Sequence, residues 1–209
     1  MDKIETLNDM FLFACDQNRG ARSHYTALRN LARICSSVTE LGVFCLGSGF
    51  AILQGLSENA SSVRSYLGID TGAPPEEKIQ LAKKWASQKN IGFRLLQASD
   101  FDIEIDPVDL LHIDTYHTYR HLTYELEKFS SVVRSYILMH DTSPPWGCYD
   151  ENQQAPNQEI ESRYPPHINR TKRGLWAAVD DFLGQHSEWQ LVERQTDGPG
   201  YTIIKRVRN

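Results

Sequence analysis

The sequence lacks the features of several large protein classes. It has no excess of basic residues, since 22 Lys and Arg stand against 27 Asp and Glu, a formal net charge of −5. A nucleic-acid-binding surface normally carries a strong basic stripe, so we expect no nucleic-acid partner. The apolar run from Met10 to Cys15 is too short for a signal peptide or a membrane span, and we therefore expect no membrane association.

Paired cysteines and a dinucleotide fingerprint are also missing. The four cysteines are scattered along the chain, and no two of them form a CxxC pair. This spacing argues against a zinc site made of cysteines or a redox dithiol, and it favours a reduced, cytoplasmic setting. Gly42 and Gly47 stand too far apart for the GxGxxG motif of dinucleotide-binding folds.

The residues that are present predict one α/β domain over residues 1–209. Apolar residues make up 40% of the chain and charged residues 23%, as in soluble globular proteins. Short apolar strands alternate with helical periodicity, which predicts a Rossmann-like, doubly wound, mostly parallel seven-stranded sheet with an antiparallel C-terminal strand. The strands are expected at 38–41, 65–69, 92–97, 108–113, 133–139, 189–193 and 201–205. Before the first strand, two helices are expected at 3–17 and 22–35. They form an N-terminal segment, 1–36, with a break at 18–20.

Ionisable residues follow the fourth and fifth predicted strands. Asp114 closes the fourth strand, His117 is expected to begin the next helix, and His140 and Asp141 close the fifth strand. Ligands of open α/β sheets bind at the carboxyl ends of the strands, so these four side chains should meet at one rim. For the other histidines nearby, His112 is expected to be buried and satisfied within its strand, and His121 to lie on the surface.

Three earlier positions also follow strand ends. Glu40 ends the first strand, and Gly42 and Gly47 form the turn into the next helix, where glycine lets the backbone come close to a ligand. Asp70 closes the second strand, where nucleoside-binding folds hold ribose hydroxyls with a carboxylate. The alternative is that Asp70 only caps a turn. A carboxylate at Glu40 would repel a pyrophosphate, so it favours a cationic ligand.

Residues 143–172 differ from the rest of the chain. They contain five prolines and several aromatic residues without clear periodicity. A stretch of this length is unusual inside a compact domain and is typical either of disorder or of a functional lid. Because the segment directly follows His140 and Asp141, we expect it to be a lid over a ligand.

These motifs resemble those of class I S-adenosylmethionine-dependent methyltransferases. The similarity is to the small-molecule branch that includes sugar and macrolide O-methyltransferases and cephalosporin-hydroxylase-like proteins. It rests on VTELGV, YLGID, LLHIDTYHTYRHLTYEL, ILMHDT and RGLWAAVDDFL in that order, together with the closing hairpin. The resemblance implies that Glu40 and Gly42 line the methionine part of the cofactor, that Asp70 holds its ribose, and that Ser99 and Asp100 lie beside its adenine.

The resemblance also implies a metal and a base. Asp114 and Asp141 match the carboxylates of metal-dependent members, His140 stands where relatives often carry another acid or a histidine, and Thr142 is a further candidate contact. Mg²⁺ or another divalent cation suits such oxygen ligands. His117 would take the proton from a hydroxyl of a small, sugar-like or natural-product-like acceptor.

Two alternatives remain open at this point. The same rim could hold a non-haem iron or serve a hydrolase, since two histidines and a carboxylate are iron ligands. The chain could also be a non-catalytic binding module of the same fold, and either kind of protein could form a homodimer.

Overall fold

A seven-stranded sheet forms the centre of the computed structural model, which describes residues 4–17, 22–150 and 158–207. The strands are β1 Ser37–Leu41, β2 Ser65–Asp70, β3 Gly92–Gln97, β4 Val108–Ile113, β5 Val133–His140, β6 Trp189–Gln195 and β7 Tyr201–Arg206. The helices are α1 Leu7–Gln17, α2 Arg22–Ala32, α3 Gly47–Glu58, α4 Glu76–Gln88, α5 Tyr119–Phe129, α6 Gln158–Arg163 and α7 Leu175–Gln185. The strand order is β3-β2-β1-β4-β5-β7-β6.

The strand directions confirm the predicted fold class. Strands β1 to β5 pair in parallel, and β7 pairs antiparallel with both β5 and β6. Only β7 therefore runs against the other strands. The predicted closing hairpin is confirmed as β6 and β7. At the centre, Ile113 at the end of β4 pairs with Leu41 of β1 and Met139 of β5, so these three strands end at the same level.

Helices cover both faces of the sheet, as the fully apolar strands require. Helices α1 to α4 pack with residues such as Leu110 and Leu138 in one apolar cluster. Helices α5 and α7 pack with Leu111 and Ile137 in a second cluster. Successive residues of β4 and β5 thus face opposite sides, and all four of these side chains are fully buried.

The helix boundaries differ from the prediction at three places. Helix α1 begins at Leu7 rather than at residue 3. Helix α2 ends at Ala32 rather than at residue 35. Helix α5 begins at Tyr119 rather than at His117, because the Thr118 side chain accepts a hydrogen bond from the backbone N–H of His121 and caps the helix. His117 therefore lies in the connection after β4, where its side chain is not part of the helix face. The predicted break at 18–20 lies outside the described residues.

The segment predicted to be a lid contains a short helix. Helix α6, Gln158–Arg163, lies within residues 143–172, and residues 151–157 lie outside the part that the structure describes. None of the four cysteines forms a disulfide. Within the described ranges, every helix is too short or too polar to cross a membrane.

Candidate active site

A cavity of about 420 Å³ opens at the carboxyl ends of the central strands. Its walls come from the residues that follow β1, β2, β3 and β4, so the sheet order itself creates the space. Five of the residues that the sequence singled out line it, namely Gly42, Asp70, Ser99, Asp100 and Asp114. The predicted convergence of strand ends on one ligand-sized space is therefore present in the structure.

Gly42 brings the turn after β1 against the end of β4. Its φ angle is 84°, a left-handed conformation that favours glycine, and a Cβ atom there would collide with the backbone carbonyl of Asp114. The backbone N–H of Asp114 donates to Leu41 at 2.9 Å, and that of Gly42 donates to Ile69 at 2.9 Å. These bonds fix Asp114 at the cavity wall.

Asp70 holds the same turn from the other side. One carboxylate oxygen accepts hydrogen bonds from the backbone N–H groups of Val43 and Phe44, each at 2.8 Å. The other oxygen accepts one from Gly72 at 2.8 Å. A carboxylate has about four acceptor positions, so one remains for a ligand in the cavity. Both interpretations of Asp70 from the sequence, turn residue and ligand contact, are compatible with this geometry.

Glu40 does not line the cavity, which corrects its predicted contact with a ligand. Its carboxylate is fully buried and accepts hydrogen bonds from the hydroxyls of Ser48 and Tyr66. Its oxygen Oε1 also lies 3.0 Å from Nδ1 of His112. Burial, together with the Glu40 charge, raises the pKa of Tyr66 well above its usual value. Glu40 therefore organises polar groups inside the protein rather than in the cavity.

Gly47 requires a similar correction. It begins α3 but does not line the cavity, and a Cβ atom on it would collide with the hydroxyl of Tyr25 on α2. The glycine is needed for close packing of the two helices. The sequence could not separate this role from ligand approach, because both require the same missing side chain.

The four ionisable residues of the rim meet as predicted. Nε2 of His117 lies 3.4 Å from Asp114 and 3.1 Å from Asp141. Nδ1 of His140 lies 3.2 Å from Asp114 and 3.5 Å from Asp141. Asp141 has a φ angle of 57°, a left-handed conformation that costs a non-glycine residue about 1 kcal/mol or more. Such local strain is often found at functional sites.

The charged groups at the rim shift the pKa values of their neighbours. Burial opposes ionisation of Asp114, but the neighbouring His140 and His117 outweigh it and hold the Asp114 pKa well below its usual range. Burial also opposes protonation of His140, yet the carboxylates of Asp114 and Asp141 raise its pKa. Asp114 is therefore ionised at neutral pH, in the form that binds cations.

The rim has the donor set of a divalent-cation site. Asp114, His140 and Asp141 each offer one ligand atom, and these atoms lie within 4.8 Å of one another. Neither ring nitrogen of His140 makes a hydrogen bond of ordinary geometry within the described residues, although both are buried. Thr142 is not part of this set, because its buried hydroxyl pairs with that of Thr202 at 2.8 Å.

Two other buried histidines, His24 and His112, lie next to the rim. His24 of α2 stacks on His140, with ring centroids 3.9 Å apart and an interplanar angle of 12°. Nε2 of His24 lies 2.9 Å from Nε2 of His112, which in turn contacts Glu40. Burial, with the neighbouring histidines, lowers the pKa of His24 well below 6.5. The expectation that His112 is buried and satisfied is confirmed.

The segment 143–172 contributes to both the rim and the cavity. The ring of Trp146 stacks on that of His117, with centroids 5.9 Å apart and an angle of 21°. Ile160 and Arg163 of α6 line the cavity, and the Arg163 guanidinium lies 4.4 Å from the ring centroid of Phe101. These are the contacts expected of a lid, while its opening and closing stay a prediction.

The prediction that His121 lies on the surface is wrong. Its side chain is buried, lines the cavity and lies 2.9 Å from a carboxylate oxygen of Asp100. Glu125, one helical turn later, is also fully buried. The spacing carried a signal for this, since His121, Leu122, Glu125 and Leu126 share the helix face that packs on the sheet.

Comparisons with known proteins show the fold. No protein-family model matches the sequence, and no curated protein matches it significantly. Among solved structures, an O-methyltransferase from Bacillus cereus in complex with SAH is 15% identical, with a TM-score of 0.55 over 100% of this chain and 93% of that one.

Two further solved structures share the architecture. A SAH-bound methyltransferase from Podospora anserina is 13% identical, with a TM-score of 0.58 over 97% of this chain and 88% of that one. The O-methyltransferase TomG from Streptomyces achromogenes, involved in tomaymycin synthesis and in complex with SAM, is 11% identical, with a TM-score of 0.54 over 95% and 90%. The chain therefore has the Rossmann-like methyltransferase fold.

Proposed function

We propose that this protein is an S-adenosylmethionine-dependent O-methyltransferase that acts on a hydroxyl group of a small molecule with the help of a divalent cation. The observation that carries the proposal is the position of Asp114, which lies in the wall of the cavity and at the rim at once. A cofactor in the cavity and an acceptor at the rim would thus be neighbours. The fold shared with structures that bind SAM or SAH supports the same function.

The cavity residues suit the parts of the proposed cofactor. Asp70 has one free acceptor position for ribose hydroxyls, and Ser99 and Asp100 lie where the resemblance places the adenine. Gly42 lets the backbone approach a ligand without a side chain in the way. When bound, S-adenosylmethionine supplies an electrophilic methyl group, and the task of the chain is then alignment of the acceptor with it.

The rim residues suit acceptor binding and proton removal. Asp114, Asp141 and His140 would hold a divalent cation, which when bound makes a nearby hydroxyl group more acidic. His117 lies beside both carboxylates, and its imidazole is the proposed proton acceptor. Trp146 covers one face of the His117 ring and limits access of water to it.

The acceptor is proposed to be a sugar-like or natural-product-like molecule. Aromatic side chains border the rim, with Trp146 stacked on His117 and Tyr116 partly exposed beside the cavity. Flat aromatic surfaces next to a cation site suit a compact hydroxylated ring. The TomG structure comes from an O-methyltransferase involved in tomaymycin synthesis, which supports a natural-product-like acceptor.

Calorimetry with S-adenosylhomocysteine tests the cofactor directly. We expect binding to the wild-type protein and a loss of about tenfold or more in affinity for Asp70→Asn, because a charge-assisted acceptor is removed. Asp106→Asn is the matched control, since Asp106 is exposed and does not line the cavity. Absence of any binding heat at high protein concentration would rule out the cofactor assignment.

Methyl transfer to a panel of hydroxylated small molecules tests the chemistry. His117→Gln should reduce kcat by about 100-fold or more, as expected for a lost general base, without weakening cofactor binding. His186→Gln serves as the control, because His186 caps α7 away from the rim. Chelation of divalent cations should lower activity reversibly, and full activity in the presence of chelator would remove the metal from the proposal.

One alternative is favoured by a specific observation. Both His117 and His140 contact Asp114 and Asp141, so two imidazoles and a carboxylate are available for a non-haem iron. Metal analysis of the purified protein separates the two functions. Tightly retained iron, together with no affinity for S-adenosylhomocysteine, would favour the iron enzyme over the methyltransferase.

A further inference from the structure

A second group of metal-ligating side chains lies outside the rim. Asp100, from the turn after β3, meets His121 and Glu125 of α5, and one ligand atom from each lies within 4.8 Å of the others. All three residues are buried, and Glu125 has no exposed surface. The two helical residues are four positions apart, so both side chains lie on the same face of α5. None of the three residues belongs to the proposed proton-transfer machinery.

The hydrogen bonds of this cluster are incomplete at its centre. Oε2 of Glu125 has no hydrogen-bond partner within the described residues, and no hydrogen bond of ordinary geometry reaches Oδ2 of Asp100, although Nε2 of His121 lies 2.9 Å away. A buried carboxylate oxygen without a partner is strongly unfavourable. The described residues include no lysine or arginine that forms an ion pair with either carboxylate. A divalent cation would supply the missing contacts.

Other hydrogen bonds hold the three side chains in place. Oε1 of Glu125 accepts from the Thr115 hydroxyl at 2.8 Å and lies 3.8 Å from Nε2 of His121. Nδ1 of His121 lies 3.0 Å from the Tyr164 hydroxyl, and Oδ1 of Asp100 accepts from the backbone N–H of Phe101 at 3.0 Å. Metal ligands are commonly oriented in this way by hydrogen bonds from a second layer of residues.

We propose that Asp100, His121 and Glu125 form a second binding site, for a divalent transition-metal ion such as Zn²⁺. One imidazole and two carboxylates in dry surroundings suit such an ion better than Mg²⁺, which prefers oxygen ligands and keeps several waters. Asp100 and His121 both line the cavity, so the ion has an entry path and a fourth position open to the cavity. The site shares Asp100 with the cavity proposed for the cofactor.

Cobalt(II) binding to the full-length, chelator-stripped protein tests this site, with visible absorption and calorimetry as readouts. The Asp141→Asn variant, or His140→Gln if that variant does not fold, removes the rim site and should still bind one equivalent of Co²⁺ or Zn²⁺. In that background, Glu125→Gln should weaken binding by about 100-fold or more, and Thr115→Val by about tenfold. Glu127→Gln is the matched control, because Glu127 is an exposed residue of the same helix.

Two experimental results would contradict the proposed metal site. It is overturned if the rim variants bind no metal while their circular dichroism is unchanged, or if Glu125→Gln binds the metal as tightly as Glu127→Gln does. Calorimetry with S-adenosylhomocysteine on the same variants reports on the cofactor independently. A protein that binds the cofactor but no second metal would thus contradict this inference alone.

Discussion

Replacement of Glu125 by glutamine should change how the stability of the metal-free protein depends on pH. Burial, together with the negative charge of Asp100, raises the pKa of Glu125 from 4.5 to about 8 despite the nearby His121. Between these pH values the folded protein keeps a proton that the unfolded chain releases. The stabilising contribution of the protonated carboxyl group is therefore complete below about 4.5 and is lost as the pH rises through about 8.

The expected magnitude follows from the two pKa values. The interval from 4.5 to about 8, at about 1.4 kcal/mol for each pH unit, corresponds to roughly 5 kcal/mol of unfolding free energy. His121 acts in the same direction, because Glu125 and Asp100 raise its pKa against the effect of burial. Its contribution is present below 6.5 and is lost at higher pH. The difference between wild type and variant therefore contains the Glu125 contribution together with its coupling to His121.

Urea denaturation between pH 5 and pH 8.5 in the presence of EDTA measures this difference. Near pH 5 the two proteins should agree within about 1 kcal/mol, since glutamine resembles a protonated glutamate in shape and hydrogen bonding. Near pH 8 the Glu125→Gln variant should be more stable by roughly 3 to 5 kcal/mol. Parallel pH profiles would refute the reasoning, because they would mean that Glu125 ionises as it does in the unfolded chain.

Three further predictions concern the cavity and the rim, and a fourth concerns an exposed position on α7. Gly42→Ala should lower the free energy of unfolding by about 2 kcal/mol or more and weaken S-adenosylhomocysteine binding, measured by denaturation and calorimetry. Gly184→Ala on α7, where an added Cβ atom meets no atom within 4 Å, should instead stabilise by about 0.5–1 kcal/mol. His24→Phe should cost about 1–3 kcal/mol in denaturation experiments while cofactor affinity is kept, because it leaves Nε2 of His112 without its partner. Trp146→Ala should lower kcat/KM for the acceptor without changing cofactor affinity, and an unchanged kcat/KM would argue against a lid role.

The sequence determined the elements and the positions where strands end. Apolar runs with abrupt ionisable ends identified β4 and β5, and the alternation with helices identified the parallel sheet. Parallel strands of one sheet present their carboxyl ends at one edge. The sequence therefore predicts that Asp114, His140 and Asp141 lie close together. The cavity residues Gly42, Asp70, Ser99 and Asp100 follow from the same rule.

Side-chain direction was decided by the tertiary structure alone. Glu40 lies near the end of β1 as predicted, but hydrogen bonds from the hydroxyls of Ser48 on α3 and Tyr66 on β2 hold its carboxylate in the interior. His24 reaches the rim only because α2 packs beside β4 and β5. No local pattern contains such a contact.

The sequence pattern was also insufficient to predict the burial of His121 and Glu125 on a single helix. Their spacing places them on one face of α5, but a helical pattern does not say how far the buried face extends around the helix. The position of the turn after β3, which brings Asp100 against α5, decides that these polar residues are buried. The positions and ends of β4 and β5 are thus properties of the sequence pattern, whereas the burial of the carboxyl groups of Glu40 and Glu125 results from packing between different elements.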